Sequence, residues 1–142
     1  MFGRLNERGF ATLEVILMIT VLGILSAVAI PRFTAMTTSA NTAKVQADLS
    51  TLDTAIGLYQ MDNGIAPTSK DQLSTYVQDI DSLAPPKGKI YINTQDEPVT
   101  LEGTTSEYSI KEDSTTKEMR ANVKDYTVDK IGKKKGTSTT TS

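Results

Sequence analysis

Between Gly9 and Pro31 lie 21 residues, Phe10 to Ile30, in which Glu14 is the one charge. Only Thr12, Thr20, Gly23 and Ser26 otherwise interrupt the apolar run. As a helix the segment is about 31 Å long, close to the hydrocarbon thickness of a bilayer. It is longer and more uniformly apolar than a buried helix of a soluble domain needs, so it is predicted to span a membrane. Arg4 and Arg8 precede it and Arg32 follows it, a small bias toward a cytoplasmic N-terminus with residues beyond Pro31 outside.

Glu14 separates this span from a plain anchor. A carboxylate inside hydrocarbon costs about 2.5–3.5 kcal/mol on insertion scales, so it calls for a function and a partner. The amides at a helix start offer only a partial positive charge, which leaves a cation in the same plane as the natural partner. A secretory signal would explain the charged start, the apolar core and the small-x-small sequence Ala27-Val28-Ala29. It would not explain the core's length or its carboxylate. A single-span anchor leaves Glu14 unexplained.

A short basic leader ending in Gly9, then Phe10, then a glutamate fifth in an apolar run of about twenty residues resembles the class III leader of type IV pilins and pseudopilins. The resemblance implies cleavage between Gly9 and Phe10 by a prepilin peptidase and N-methylation of the new Phe10 amine. It also implies pairing of Glu14 with the Phe10 amine of a neighbouring subunit during assembly. Pro31, twenty-second from Phe10, stands where these proteins usually carry a helix-loosening proline. The family order after the glycine resembles Phe-Thr-Leu-Ile-Glu; here it is Phe10-Ala11-Thr12-Leu13-Glu14, with the glutamate in place.

Beyond Pro31 the helical period resumes. Val45, Leu49, Leu52, Ile56 and Tyr59 step by four, three, four and three along one face, with alanines between them. Asp62-Asn63-Gly64 ends the pattern, with Gly64 suited to a left-handed cap and Pro67 just past it. The prediction is one helix of about fifty residues, weakened at Pro31 and Gly23, that continues the span. Gly23, Ser26, Ala27 and Ala29 are also small enough for close helix packing in a bundle. Tyr59 to Pro67 resembles the end of the long helix in pilins and major pseudopilins, where a tyrosine often precedes the proline; Ala66 stands there here.

Ser69 and Gln72, at capping-box spacing, predict a short second helix reaching about Gln78, followed by a loop over Asp79 to Gly88. Strands are predicted at Lys89 to Thr94, Val99 to Glu102, Glu107 to Lys111 and Asn122 to Val128. The turns between them are Gln95 to Pro98, Gly103 to Ser106 and a longer polar loop. Ile90, Ile92, Leu101, Tyr108, Ile110, Val123 and Tyr126 are candidates for an inner face that covers the stripe Val45 to Tyr59. The expected fold is α+β and pilin-like: one long N-terminal helix whose second half packs on a small antiparallel sheet of three to four strands. The expected division is a leader (1–9), a membrane and assembly helix (10–30), a half-helix with globular domain (31–131) and a disordered Lys/Thr/Ser tail (132–142).

Composition narrows the chemistry. Cysteine, histidine and tryptophan are absent from the 142 residues. The exported part therefore cannot be closed by a disulfide, as many pilins are, and must be held by packing, metal or neighbours. Imidazole-based catalysis and most transition-metal sites are removed as well. The chain sums to −2 and its first nine residues to +1, Arg4 and Arg8 against Glu7, which leaves −3. No specific nucleic-acid partner is predicted, and the run Lys133-Lys134-Lys135 is expected to be solvated. No catalytic constellation, phosphate-binding loop or cofactor site is present, so the chain is expected to be a peptidase's substrate and not an enzyme. Asp96, Glu97, Glu112 and Asp113 could offer oxygens to calcium, as in some pseudopilins. Their spacing matches no calcium loop of the EF-hand kind, and no metal is assigned.

The expectation is a structural subunit of a type IV pilus. It would sit as a single-pass protein in the inner membrane and then, through an assembly platform and contacts with its own copies, enter an extracellular filament. Two alternatives share the same span. A pseudopilin of a type II secretion or DNA-uptake machine has every motif to Met61, and an uncleaved, membrane-anchored binding domain would retain Met1 to Gly9.

Overall fold

The computed structural model describes residues 6–102 and 106–134. Its elements are those of the expected α+β class: helix α1, Asn6–Asn63, followed by short antiparallel strands. The chain divides into two compact units, Met1–Met36 and Thr37–Ser142.

In the first unit the described residues are all α1, and from Phe10 onward each is exposed except Ala29, which is half-buried. The helix is uninterrupted through Gly23 and Pro31, the two positions expected to weaken it. Pro31 nonetheless lacks an N–H, so the carbonyl of Ala27 has no i+4 donor there. A Cβ added to Gly23 would meet nothing within 4 Å, so no close contact inside this chain requires glycine. Thr20 and Thr34 donate their hydroxyls to the carbonyls of Ile16 (2.7 Å) and Ile30 (3.2 Å). These back-bonds satisfy the hydroxyls without water. Residues 1–5 of the expected leader lie outside the described residues.

In the second unit α1 buries the predicted stripe. Val45, Leu49 and Leu52 are fully inaccessible, Ile56 nearly so, and Tyr59 is partly buried against them. The stripe begins earlier than the apolar pattern does, because Thr38 and Thr42 are buried too. The Thr42 hydroxyl donates to the Thr38 carbonyl at 2.6 Å and accepts the Tyr91 amide at 2.9 Å, so neither polar group is stranded. Gly64 closes the helix at φ +70°, donating its amide to the Gln60 carbonyl at 2.9 Å.

The predicted second helix is shorter than expected. Ser69 and Gln72 form the capping box, but the element that they open is a single 3-10 turn, Lys70–Leu73. Ser74 and Thr75, which follow that turn, are poor helix formers. The remaining residues to Val77 turn so as to bury Leu73 and Val77 in the core. The loop after it contains a further 3-10 turn, Ile80–Ser82, which adds Ile80 to the same core.

The strands form two sheets in place of one continuous meander. β1 (Gly88–Ile90) pairs antiparallel with β2 (Val99–Leu101), Gly88 opposite Leu101. β3 (Tyr108–Glu112) pairs with β4 (Met119–Val123), Tyr108 opposite Val123, and β4 with β5 (Tyr126–Thr127). The strand predicted over Asn122 to Val128 is in fact a hairpin, with Lys124 and Asp125 at φ +48° and +66° forming its two-residue turn. Those signs suit a primed turn, but the pair lacks the glycine that usually announces one. The turn predicted at Gly103 to Ser106 falls mostly on residues 103–105, which lie outside the described residues. Of the predicted inner residues Ile90, Ile92, Leu101, Tyr108, Ile110 and Val123 are buried, and Tyr126 is half-buried.

With no cysteine in the chain, hydrogen bonds and packing hold the C-terminal segment. Ile131 is buried and bridges to Ile92. Its carbonyl accepts Gln46 Nε2 at 2.6 Å, and Asn93 Nδ2 donates to the Asp129 carbonyl at 2.6 Å. The tail expected to be disordered from 132 is held for three residues more. Gly132 donates its amide to the Tyr91 carbonyl (2.9 Å), Lys133 lies 5.0 Å over the Tyr91 ring and Lys134 pairs with Asp96 at 2.8 Å. Residues 135–142 lie outside the described residues.

Candidate functional site

The first unit presents apolar side chains on every side of α1. Leu13, Val15, Ile16, Leu17, Met18, Ile19, Val21, Leu22, Ile24, Leu25, Val28 and Ile30 are each more than half exposed, and Phe10 is 73% exposed. A helix apolar all round needs a non-aqueous surrounding, either lipid or other helices. Of α1, Phe10–Asn63 contains a window apolar and long enough to cross a membrane, none of it buried within the chain.

Glu14 is exposed on this helix. Phe10 and Glu14 are four residues apart and so share a face, separated by about 6 Å along the axis. Gly9, the expected cleavage residue, lies inside α1. Gly23 and Pro31 sit further along the same helix, about 13 Å and 25 Å from Glu14 along the axis, so neither joins Phe10 and Glu14 in a local cluster.

The acidic residues considered for calcium do not converge. Asp113 accepts the amides of Thr115 and Thr116 at 2.7 and 3.0 Å. Those bonds, Thr116's first, hold its carboxyl below the usual carboxylate range. Glu112 pairs with Lys117 and Asp96 with Lys134. Among the described residues no group of three or more metal-ligating acids stands together.

Two carboxylates that periodicity did not single out fasten β3 and β4 to the part of α1 that lies within the second unit. Asp48 accepts the Tyr108 hydroxyl and Lys44 Nζ, each at 2.6 Å. Asp53 accepts the Ala121 amide at 2.8 Å through one oxygen and Arg120 through the other, at 3.0 Å from Nε and 2.8 Å from Nη2. Both aspartates adjoin stripe residues, Leu49 and Leu52, so each lies at the rim of the buried face and reaches a strand. A charge next to an apolar stripe was the available signal. Because β3 and β4 are adjacent, the two contacts fix both strands against one helix.

Burial first, and then the bond to Asp48, push the Tyr108 phenol well above its ordinary range. A raised value stabilises the fold at all pH below the unfolded tyrosine's, about 10, and this stabilisation is lost as pH climbs beyond it. Ultraviolet titration should therefore find Tyr108 still protonated after ordinary phenols have ionised, released together with unfolding. In Tyr108→Phe that late step should vanish. Its persistence would mean that another group is responsible.

No protein-family model matches the chain, and no solved structure matches it. Curated relatives do. The type II secretion system core protein G of Klebsiella michiganensis is 30% identical over 88 residues, 62% of this chain and 61% of that one. The protein of the same name from Klebsiella pneumoniae is 34% identical over 72 residues, 51% of each chain. That from Vibrio cholerae is 31% identical over 72 residues, 51% of this chain and 49% of its own. The matched part of the chain thus spans about half to three fifths of these relatives' length. Taken with the position of Glu14 and the all-round apolar helix, these matches support kinship with the family of type IV pilins and type II secretion pseudopilins.

Proposed function

We propose that the chain is a pseudopilin, a structural subunit of a type II secretion machine. The observation that carries this reading is the repeated likeness to core protein G of that system, and it favours the pseudopilin alternative over the pilus subunit first expected. The leader, the span and Glu14 are common to both, so they support the family without choosing within it.

The chain's part in assembly follows from its physical chemistry. Before assembly, Phe10 to Ile30 rests in the inner membrane with lipid on all sides. A peptidase cuts after Gly9 and frees an amine on Phe10, which is then methylated. Exchanging lipid contacts for helix contacts changes little apolar exposure, so the bundle must be directed by packing and by polar pairs. Glu14 of one copy and the Phe10 amine of a neighbour supply such a pair, strong because water is excluded around it. Gly23 and Pro31 let the helices approach and adjust. Partners on this reading are other copies of the chain, the prepilin peptidase, the inner-membrane assembly platform and the membrane itself. The chain is the peptidase's substrate and carries no chemistry of its own.

N-terminal peptide and intact-mass spectrometry of the native protein tests the processing. A chain beginning at methylated Phe10 is expected. One beginning at Ile30 would make it a secreted domain, and one retaining Met1 to Gly9 an anchored binding domain. Deleting the gene then tests the machine: secreted enzymes should accumulate inside the cell envelope while surface pili remain. Loss of pili with secretion intact would restore the pilus reading.

A further inference from the structure

The end of α1 brings together groups that assembly does not use. Of the five asparagines, Asn6, Asn41, Asn63, Asn93 and Asn122, only Asn63 is followed by glycine. Asn63 and Gly64 are both exposed to solvent. Glycine carries no side chain to shield its nitrogen, so in an open chain the Gly64 amide can reach the Asn63 side-chain carbonyl.

In the folded end both reacting groups are occupied. The Gly64 amide donates to the Gln60 carbonyl at 2.9 Å, and Asn63 Nδ2 donates to the Tyr59 carbonyl at 3.0 Å. A helical side chain leans toward the N-terminus, so Asn63 Cγ is drawn away from the amide that follows it. Tyr76 closes the other side: its hydroxyl donates to Asp62 at 2.8 Å, lies 3.5 Å from Asn63 Nδ2, and its ring packs edge-on against Tyr59 at 6.1 Å.

We propose that Asn63-Gly64 is a site of spontaneous deamidation gated by the cap of α1, protected while the cap and Tyr76 hold and reactive when the helix end opens. The Gly64 nitrogen loses its proton to solvent base and bonds to Asn63 Cγ. The Cγ–Nδ2 bond breaks, and the side-chain nitrogen leaves as ammonia with a proton returned by water, closing a succinimide. Water then opens the ring. Breaking the new Cγ–N bond leaves aspartate, and breaking the original peptide bond leaves isoaspartate. One water enters, one ammonia departs and nothing is oxidised.

The product does not restore the cap. It loses the donor to Tyr59 and places a second negative charge beside Asp62 at the negative end of the helix dipole. Isoaspartate also lengthens the backbone by one carbon at the turn leading to Pro67. Conversion therefore marks, irreversibly, subunits whose helix end has opened.

The test incubates the full chain in detergent at mildly alkaline pH, native or unfolded in urea, and quantifies aspartate and isoaspartate at each asparagine by peptide mapping. In urea Asn63 should convert far faster than Asn41, Asn93 and Asn122. In the native chain Asn63 should convert at least about tenfold more slowly than in urea, as expected for a reaction needing local opening. Tyr76→Phe, which keeps the ring and drops the hydroxyl, should raise the native rate several-fold. Equal native and unfolded rates, or an unchanged rate in Tyr76→Phe, would overturn the gate. Conversion in urea no faster than at the other asparagines would overturn the site.

Discussion

Leu49→Ala should lower the stability of the second unit by about 2–5 kcal/mol, a large part of the 5–15 kcal/mol that holds a typical domain together. Leu49 is fully inaccessible and central to the stripe from Thr38 to Ile56, and it belongs to a buried cluster to which the helix, the 3-10 turns and both sheets contribute. Removing its branched end leaves a cavity that these short elements cannot readily collapse to fill. No disulfide restrains the unfolded chain, since there is no cysteine, so the loss has nothing to offset it. Urea unfolding followed by circular dichroism measures it. Leu58→Ala on the same helix, where the side chain is 45% exposed, should move the midpoint little, by about 0.5 kcal/mol or less. Equal losses at the two leucines would mean that the stripe is not the centre of the fold.

That stripe was also the most legible part of the second unit, because burial against a sheet imposes a period of three and four that survives in the residue types. The two carboxylates beside it were not legible as anchors. Asp48 and Asp53 bond Tyr108, Arg120 and the Ala121 amide across 60 to 68 positions of sequence, and no local pattern encodes such a reach. The β4–β5 hairpin escaped for a different reason. Lys124-Asp125 takes a left-handed turn without glycine, so the run from Asn122 to Val128 looked like one strand. The capping box at Ser69 and Gln72 was correctly located, but a cap specifies where a helix starts and not how far it runs. Leu73, Val77 and Ile80 reach the core from tight turns instead of a regular helix.

The span was legible because lipid enforces a length and a composition that little else requires. Glu14 was its one signal of a role beyond anchoring, since a carboxylate in hydrocarbon is expected only where something offsets its cost. The chain alone does not contain the answer: Glu14 is exposed on α1, and its partner on the proposed reading is another copy. The fold of one subunit therefore explains why the second unit is stable and leaves the first unit unfinished, an apolar surface awaiting lipid or neighbours.

Glu14→Ala should give the second large effect, and on assembly alone. Membrane insertion should be preserved or improved, since an insertion cost of about 2.5–3.5 kcal/mol is removed. The proposed cleavage after Gly9 should continue, because residues 1–9 and Phe10 are unchanged. The second unit should unfold at the same urea concentration, Glu14 lying outside it. On the proposed reading, filament formation should fall to a small residue of normal, because the methylated Phe10 amine would enter the bundle as an uncompensated cation in a low-dielectric core. Glu14→Gln, similar in size but without charge, should behave like the alanine variant, and Glu14→Asp should recover part of the yield. Membrane fractionation, N-terminal mass and counts of filaments in cells overproducing the subunit separate these steps. Normal filament yield from Glu14→Gln would show that side-chain volume, and not charge pairing, sets the register.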